Sequence, residues 1–338
     1  MAPKSFIIIS LSLLFSTYNN LSFSQSLQPM SAIQYIQPPF LTAGDTIAIV
    51  APAGQLSGKS EPLNLATQLL QSWGLSVVVG ANILEAEGHF AGSDQVRLEV
   101  FQELLDDPSI KAIWCARGGY GSMRILDQLD FTKFKKHPKW IIGYSDITAF
   151  HSQMHQMHFA SIHGMMAVNF ENDPKEIQLS ISSLNDALFG KTIAYKFEAK
   201  ADNQFGKVTA PLVGGNLSLL GAMLGSNTAV DFSGKIVFLE EIGEYMYEVD
   251  RMIQSLKRAG VFKNCAGVLV GDFTNIKPNT PDFGLTLEEI IKQAVGNTAV
   301  PIAFNFPAGH ESDNRALYFG TSATLEVTEN FSTLTYEY

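Results

Sequence analysis

Cysteine is nearly missing from this chain of 338 residues, which has only Cys115 and Cys265. Two thiols so far apart cannot make a disulfide framework or a four-thiolate metal site. Each lies in an apolar, strand-like run, where cysteine behaves as a small buried residue, and both read as core, with a single bridge left open. Charge is also sparse: 17% of residues are Asp, Glu, Lys or Arg, and acids outnumber bases to a net charge of -10. With no basic surface to neutralise a phosphate backbone, nucleic acid is excluded as an expected partner. Long apolar runs are missing too. Residues 6–15 fall far below the roughly 20 that a membrane span needs, and no later stretch of that length lacks charge. Because Lys4 precedes this run and Ser22 and Ser24 follow it, residues 1–24 read as an export signal. The expected protein is therefore soluble once the signal is removed, with a periplasmic or secreted location. A retained N-terminal anchor is the alternative, and the absence of a following cysteine disfavours a lipid anchor.

Apolar residues are plentiful, at 46%, enough for a sizeable core and for two domains. After the Pro-rich approach at Pro38-Pro39, β-branched runs at 46–50, 75–79, 110–115 and 140–142 alternate with helix-period segments at 61–73, 95–105 and 123–129. That β-α-β-α order predicts an N-terminal doubly wound parallel-sheet domain over residues 40–171, with ligands bound beyond the carboxyl ends of the strands. Periodicity weakens and Ser, Asn, Asp and Lys accumulate over 172–205, which reads as a linker. Beyond it, strands at 235–239, 267–270, 301–306, 316–319 and 323–327, with helices near 248–258 and 285–294, predict a smaller C-terminal α/β domain with a β-rich end over 206–338.

Chemistry concentrates at a few turns. The strand at 140–142 runs into Gly143-Tyr144-Ser145-Asp146-Ile147 and then a helical pattern, an elbow that holds a serine hydroxyl at a sheet edge. Ile147 stands where the last glycine of G-x-S-x-G belongs, so an ordinary helix cap remains the competing reading. A serine nucleophile needs a base and a carboxylate that orients the base. The strand at 234–239 ends in Glu240-Glu241, and that at 301–306 leads to Gly309-His310, so an acid and a histidine emerge at strand ends. The turn Ala116-Arg117-Gly118-Gly119-Tyr120-Gly121 fails as a dinucleotide or P-loop motif and reads either as an oxyanion-binding turn or as a tight turn that needs glycine. His151, His155 and His158 share a helix face, but with no H-E-x-x-H glutamate they read as packing or substrate contacts rather than a metal site, and His163 is ambiguous in the same way. The glycines of Leu212-Val213-Gly214-Gly215-Asn216 open a helix-like run and serve either to expose backbone amides or to let two domains approach.

Taken together, residues 44–52, 116–121, 142–148, 212–217 and 238–244, with Asp250-Arg251, Gly309-His310 and Asn314, resemble the LD-carboxypeptidase family, which includes the microcin C immunity peptidases. The resemblance covers nearly all of the chain after the signal and follows the family's order. It implies Ser145 as nucleophile, His310 as base and Glu240 as the acid, chosen over Glu241 and Glu244 by its place at the strand end. It implies an oxyanion hole from the N–H of Asp146 and one from Gly118 or Gly119, in a cleft between the domains. Arg117, Tyr120, Asn216 and Asn314 are expected against substrate, with Arg117 or Arg315 as the clamp for a terminal carboxylate. The implied reaction needs no metal and no cofactor, and relatives suggest a homodimer. Its natural substrate is then a murein tetrapeptide, which loses D-alanine from an L-centre. Two alternatives stand beside it: hydrolysis of a peptidyl-nucleotide or other amide, and a non-catalytic envelope protein that binds peptides. Family members that recycle cell wall act in the cytoplasm, whereas the export signal here points to direct access to peptidoglycan fragments.

Overall fold

Strands buried on both faces read as continuous apolar runs, and the central strands of the first half follow that rule. The structure, a computed structural model, describes Met1 and residues 34–336 apart from Ser57 and Lys59. The segment read as an export signal lies, beyond Met1, outside the described residues. In chain order come β1 (Thr46–Val50), α1 (Ser60–Ser72), β2 (Ser76–Val79), α2 (Asp94–Asp106), β3 (Ile110–Cys115), α3 (Ser122–Leu126), β4 (Trp140–Gly143), α4 (Thr148–Gln156) and β5 (Ser161–His163). In β1, Ile47 and Ile49 enter one hydrophobic cluster while Ala48 and Val50 enter another on the opposite face. These five strands are parallel, in the order β5-β4-β3-β1-β2. The order reverses between β1 and β3, and in such sheets the reversal opens a crevice at the carboxyl ends. The turns after β3 and β4 lie at that edge.

The second half contributes α5 (Gln178–Leu188), β6 (Ala194–Glu198), β7 (Gly206–Asn216), α6 (Leu217–Ala222), β8 (Ile236–Ile242), α7 (Met246–Arg258), β9 (Gly267–Thr274), α8 (Leu287–Val295), β10 (Ile302–Ala303), β11 (Leu317–Phe319), β12 (Ser322–Val327) and β13 (Phe331–Tyr336). Its sheet runs β10-β9-β8-β7-β12-β13-β6, with β7 to β10 parallel and the remainder antiparallel. β7 pairs with β12 up to Pro211 and with β8 from Leu212, so the residue without an N–H sits at the change of partner. The glycines after it were expected to open a helix; instead they finish this strand, and α6 starts at Leu217. β11 does not join the C-terminal sheet. It crosses to pair antiparallel with β5, Leu317 opposite His163. The segment 172–205 carries α5 and β6 rather than irregular chain. Its helix escapes a periodicity search because Ser180 and Ser183 share the buried face with Leu184 and Ala187. A single hydrophobic cluster joins Trp114 and Ile142 of the first sheet to Leu212, Phe238 and Leu325 of the second, so that Gln34–Tyr338 forms one compact unit.

Candidate active site

β4 is buried throughout, and its last residue must be glycine, because a Cβ on Gly143 would lie 2.8 Å from the Ile147 side chain. Ile147 therefore fills the space that the missing glycine of the elbow motif would have left. Ser145 adopts a left-handed φ of 60°, which costs an ordinary residue about 1–2 kcal/mol and persists only where surrounding structure imposes it. That structure is visible. The buried carboxylate of Asp146 accepts the Ser122 N–H at 2.8 Å, tying the turn to α3. Gly118 presses against the other side, where a Cβ would stand 3.2 Å from both the Asp146 nitrogen and Ser145 Cβ. A side chain at position 118 would thus cover the Asp146 N–H. Beneath the turn, His151 Nε2 lies 2.9 Å from the Gly143 carbonyl; since a carbonyl only accepts, this nitrogen carries the proton. Burial holds His151 neutral, down at about 4.

The second half supplies a carboxylate and an imidazole. The β8–β9 register shifts between Leu239 and Glu241, a bulge of the kind that re-aims a side chain, and Glu240 sits at the shift. Glu240 Oε2 is 2.7 Å from His310 Nδ1, and His310 Nε2 is 3.0 Å from Ser145 Oγ. Glu241 is occupied elsewhere, accepting from Asn216 Nδ2 at 3.0 Å and from the Ser218 N–H and hydroxyl, each at 2.7 Å. Glu244 is within 3.4 Å of that same hydroxyl. His310 follows Gly309, whose Cβ, if it had one, would be 2.9 Å from Asp272 Cβ. The Tyr144 ring packs edge-on against the imidazole, centroids 5.0 Å apart.

Neighbouring charges and burial act on His310 and Glu240 in opposite senses. Burial works against a charged His310, but the charge and hydrogen bond of Glu240 outweigh it, with Glu241 and Asp272 adding, so the imidazole is held above its ordinary value. Glu240 is fully buried, and burial pushes its carboxyl up against the pull of His310. Asp272 is pushed up to about 7, by burial first and the charge of Glu311 second. With Nδ1–H donated to the carboxylate, Nε2 is left as an acceptor for the serine proton, which is the arrangement of a base, its orienter and a nucleophile.

The two halves of this site coincide with two known units. Residues 47–164, which contain Ser145, match the LD-carboxypeptidase N-terminal domain, and residues 209–325, which contain Glu240 and His310, match the LD-carboxypeptidase C-terminal domain. The chain belongs to the LD-carboxypeptidase family. It is 35% identical over 298 residues to a probable murein peptide carboxypeptidase of Bacillus subtilis, covering 87% of this chain and 92% of the relative. It is 29% identical to the murein tetrapeptide carboxypeptidase of Pseudomonas aeruginosa, covering 83% and 92%. The crystal structure of muramoyltetrapeptide carboxypeptidase from Oxalobacter formigenes superposes with a TM-score of 0.77 at 28% identity, over 87% of this chain and 99% of that one. The wild-type apo microcin C7 self immunity protein MccF shares the fold at a TM-score of 0.79 and 21% identity, over 90% and 99%.

Not every expected substrate contact lies on a surface. Arg117 is half-buried beside the glycine turn, and Tyr120 is exposed with His89 and Phe90 around it. Asn216 and Asn314, in contrast, are buried struts. Asn216 caps α6 and holds Glu241, while Asn314 Oδ1 accepts the Gly309 N–H at 3.3 Å. Of the two readings for Gly214-Gly215, close approach is the one realised: a Cβ on Gly215 would lie 2.4 Å from Thr148 Oγ1 at the start of α4, and that hydroxyl accepts the Asn216 N–H at 3.0 Å. The helix-face histidines are tied to other groups. His151 also meets Ser161 Oγ at 2.9 Å, and His155 meets the Tyr35 hydroxyl at 2.6 Å and the Asp231 N–H at 3.2 Å. Cys115 and Cys265 are buried and free, not bridged. Tyr144, Asp272 and Ser180 were missed as supports of the site, because each acts on His310 or its loop through contacts across the fold that no local pattern announces.

Proposed function

We propose that this protein is a serine carboxypeptidase that cleaves the bond between an L-centre and a terminal D-amino acid, releasing D-alanine from murein tetrapeptide. The observation that carries the reading is the unbroken chain Ser145–His310–Glu240, with links of 3.0 and 2.7 Å, assembled from both matched units. Ser145 Oγ attacks the scissile carbonyl as His310 Nε2 takes its proton. The oxyanion forms beside the Asp146 N–H and an N–H of Gly118 or Gly119, where fixed donors are worth several kcal/mol, on the order of 3 for one donor. His310 then gives the proton to the departing amine, and an ester to Ser145 remains. Water, deprotonated by the same imidazole, returns the serine and frees the shortened peptide. Glu240 keeps the imidazole in the tautomer that can accept. The murein assignment rests on the names of the relatives and on the export signal read in residues 1–24, which would deliver the protein to the envelope. Among the described residues, no helix is long and apolar enough to cross a membrane.

The reading is tested by incubating the protein with murein tri-, tetra- and pentapeptide and with a peptidyl-nucleotide amide, and following products by mass spectrometry. D-Alanine released from tetrapeptide alone is the expected result. Cleavage of the nucleotide amide in preference would move the protein to the immunity-type reaction, and no cleavage of any substrate would remove the enzymatic reading.

A further inference from the structure

A carboxypeptidase must recognise a negative charge one residue beyond the scissile carbonyl, about 3.8 Å along the chain. The site already described is rich in the wrong sign, since Glu240, Glu241 and Asp272 all gather at the same edge. An anionic chain end would be repelled there unless a cation stood within a residue's reach of the oxyanion turn. We propose that Arg117 is that cation, and that its guanidinium binds the α-carboxylate of the departing residue. This rests on the carboxypeptidase reading above and names the group that confers its exopeptidase character.

Arg117 immediately precedes Gly118, the residue packed on Ser145 and Asp146. Its Nη1 donates to the Gln55 carbonyl at 2.7 Å, and Gly54 lies so close that a Cβ there would be 3.7 Å from Arg117 Cδ and Nε. The loop after β1 thus fixes the guanidinium in place. One carbonyl uses one of five donors, and no carboxylate pairs with Arg117 among the described residues. A partly buried cation in that state lacks a counter-charge and draws an anion with planar, two-oxygen geometry. Its charge is felt at Tyr144, the ring that packs on His310. The other arginines near the turn are already committed. Arg97 is fully buried and spends itself on Pro52 O, Gly121 O and Asp94, while Arg124 also pairs with Asp94. Arg315, the other candidate clamp in the sequence, is matched to Asp313 at 2.8 Å through Nη2 and at 3.1 Å through Nε.

The test compares tetrapeptide ending in free D-alanine with the same peptide ending in D-alanine amide. The unaltered protein should favour the free acid by about 100-fold in kcat/KM, the size expected for a charge-assisted pair made by a partly buried cation. Arg117→Ala should lose about that factor on the acid and almost nothing on the amide, so the preference collapses. Arg117→Lys should recover part of it, because a point charge attracts a carboxylate without the fork. Equal losses on both peptides, or a preference that survives Arg117→Ala, would overturn the clamp. Calorimetric binding to the Ser145→Ala protein separates this from the catalytic reading. If the free acid binds more tightly than the amide and adding Arg117→Ala erases the difference, the clamp stands even where D-alanine release fails.

Discussion

The Ser145 turn and the His310 loop of this protein are held in opposite ways. Ser145 sits between a strand and a helix that are its own chain neighbours, and its position follows from three local demands: a buried strand, a glycine that makes room for Ile147, and a left-handed φ. His310 lies on a long excursion between β10 of one sheet and β11 of the other, with no regular element beside it. Its place is dictated by groups from far along the chain: Glu240 on β8, Asp272 on β9, and serines on α5. Where the chain itself imposes geometry, the cost is strain. Where distant groups impose it, the cost is a dependence on each of them.

The largest effects should come from the strained side. Ser145→Ala is expected to reduce kcat by about 10⁶-fold, as loss of a nucleophile does in serine hydrolases. Ser145→Gly should be as inactive yet more stable to urea by about 1 kcal/mol, since glycine occupies that φ without penalty. Activity and stability would then move in opposite directions at one position. A glycine variant no more stable than wild type would show that the turn is unstrained and erase the contrast.

Next in size is the carboxylate bonded to His310. Glu240→Gln keeps shape but loses charge, and a drop in kcat of about 10⁴-fold is expected from the wrong imidazole tautomer. The pH profile adds the sign. His310 must be neutral to accept the serine proton, and its value is raised above 6.5, so kcat/KM should fall as pH drops through a point above 6.5. In Glu240→Gln the raising charge is gone while burial still disfavours the imidazolium, so that acid limb should shift to lower pH. A limb that stays in place would mean that Glu240 does not govern His310.

This contrast also explains what the amino-acid sequence revealed. The first sheet was legible because its central strands β1, β3 and β4 are largely buried, its edge strand β2 is a β-branched run, and α1 and α2 each carry a buried stripe at helical spacing. Glu240 was read at a strand end, Ser145 in the turn after a strand and His310 in a glycine-flanked turn, the family resemblance ordered them, and the structure brings the three side chains together. What stayed hidden were the supports. Asn314 Oδ1 accepts the Gly309 N–H and Asn216 Nδ2 donates to Glu241, and both side chains are buried. α5 went unnoticed because serines occupy its buried face, and the strand read at 316–319 was placed in the C-terminal domain because its pairing partner, β5, lies more than a hundred residues away. Such choices depend on where the chain returns, which local periodicity does not encode.

The smallest predicted effect probes those hidden supports. Ser180 Oγ accepts the Asn314 N–H at 2.7 Å and donates to Ser312 O at 2.9 Å, and one turn further Ser183 Oγ accepts the Ala316 N–H at 2.9 Å. Two serines on α5 therefore satisfy backbone groups of the His310 loop that no strand partner reaches, while the Tyr195 hydroxyl donates to Ala316 O at 2.7 Å and continues the brace into β6. Replacing both serines by alanine should loosen the imidazole without touching substrate. Because small misplacements of a catalytic group are costly, kcat should fall by about 10-fold to 100-fold with KM unchanged. Steady-state kinetics on the tetrapeptide, alongside a thermal melt, decide it. A double variant that melts earlier but keeps its kcat would mean that Glu240 and Asp272 fix the base unaided, and that α5 stabilises the fold without positioning the histidine.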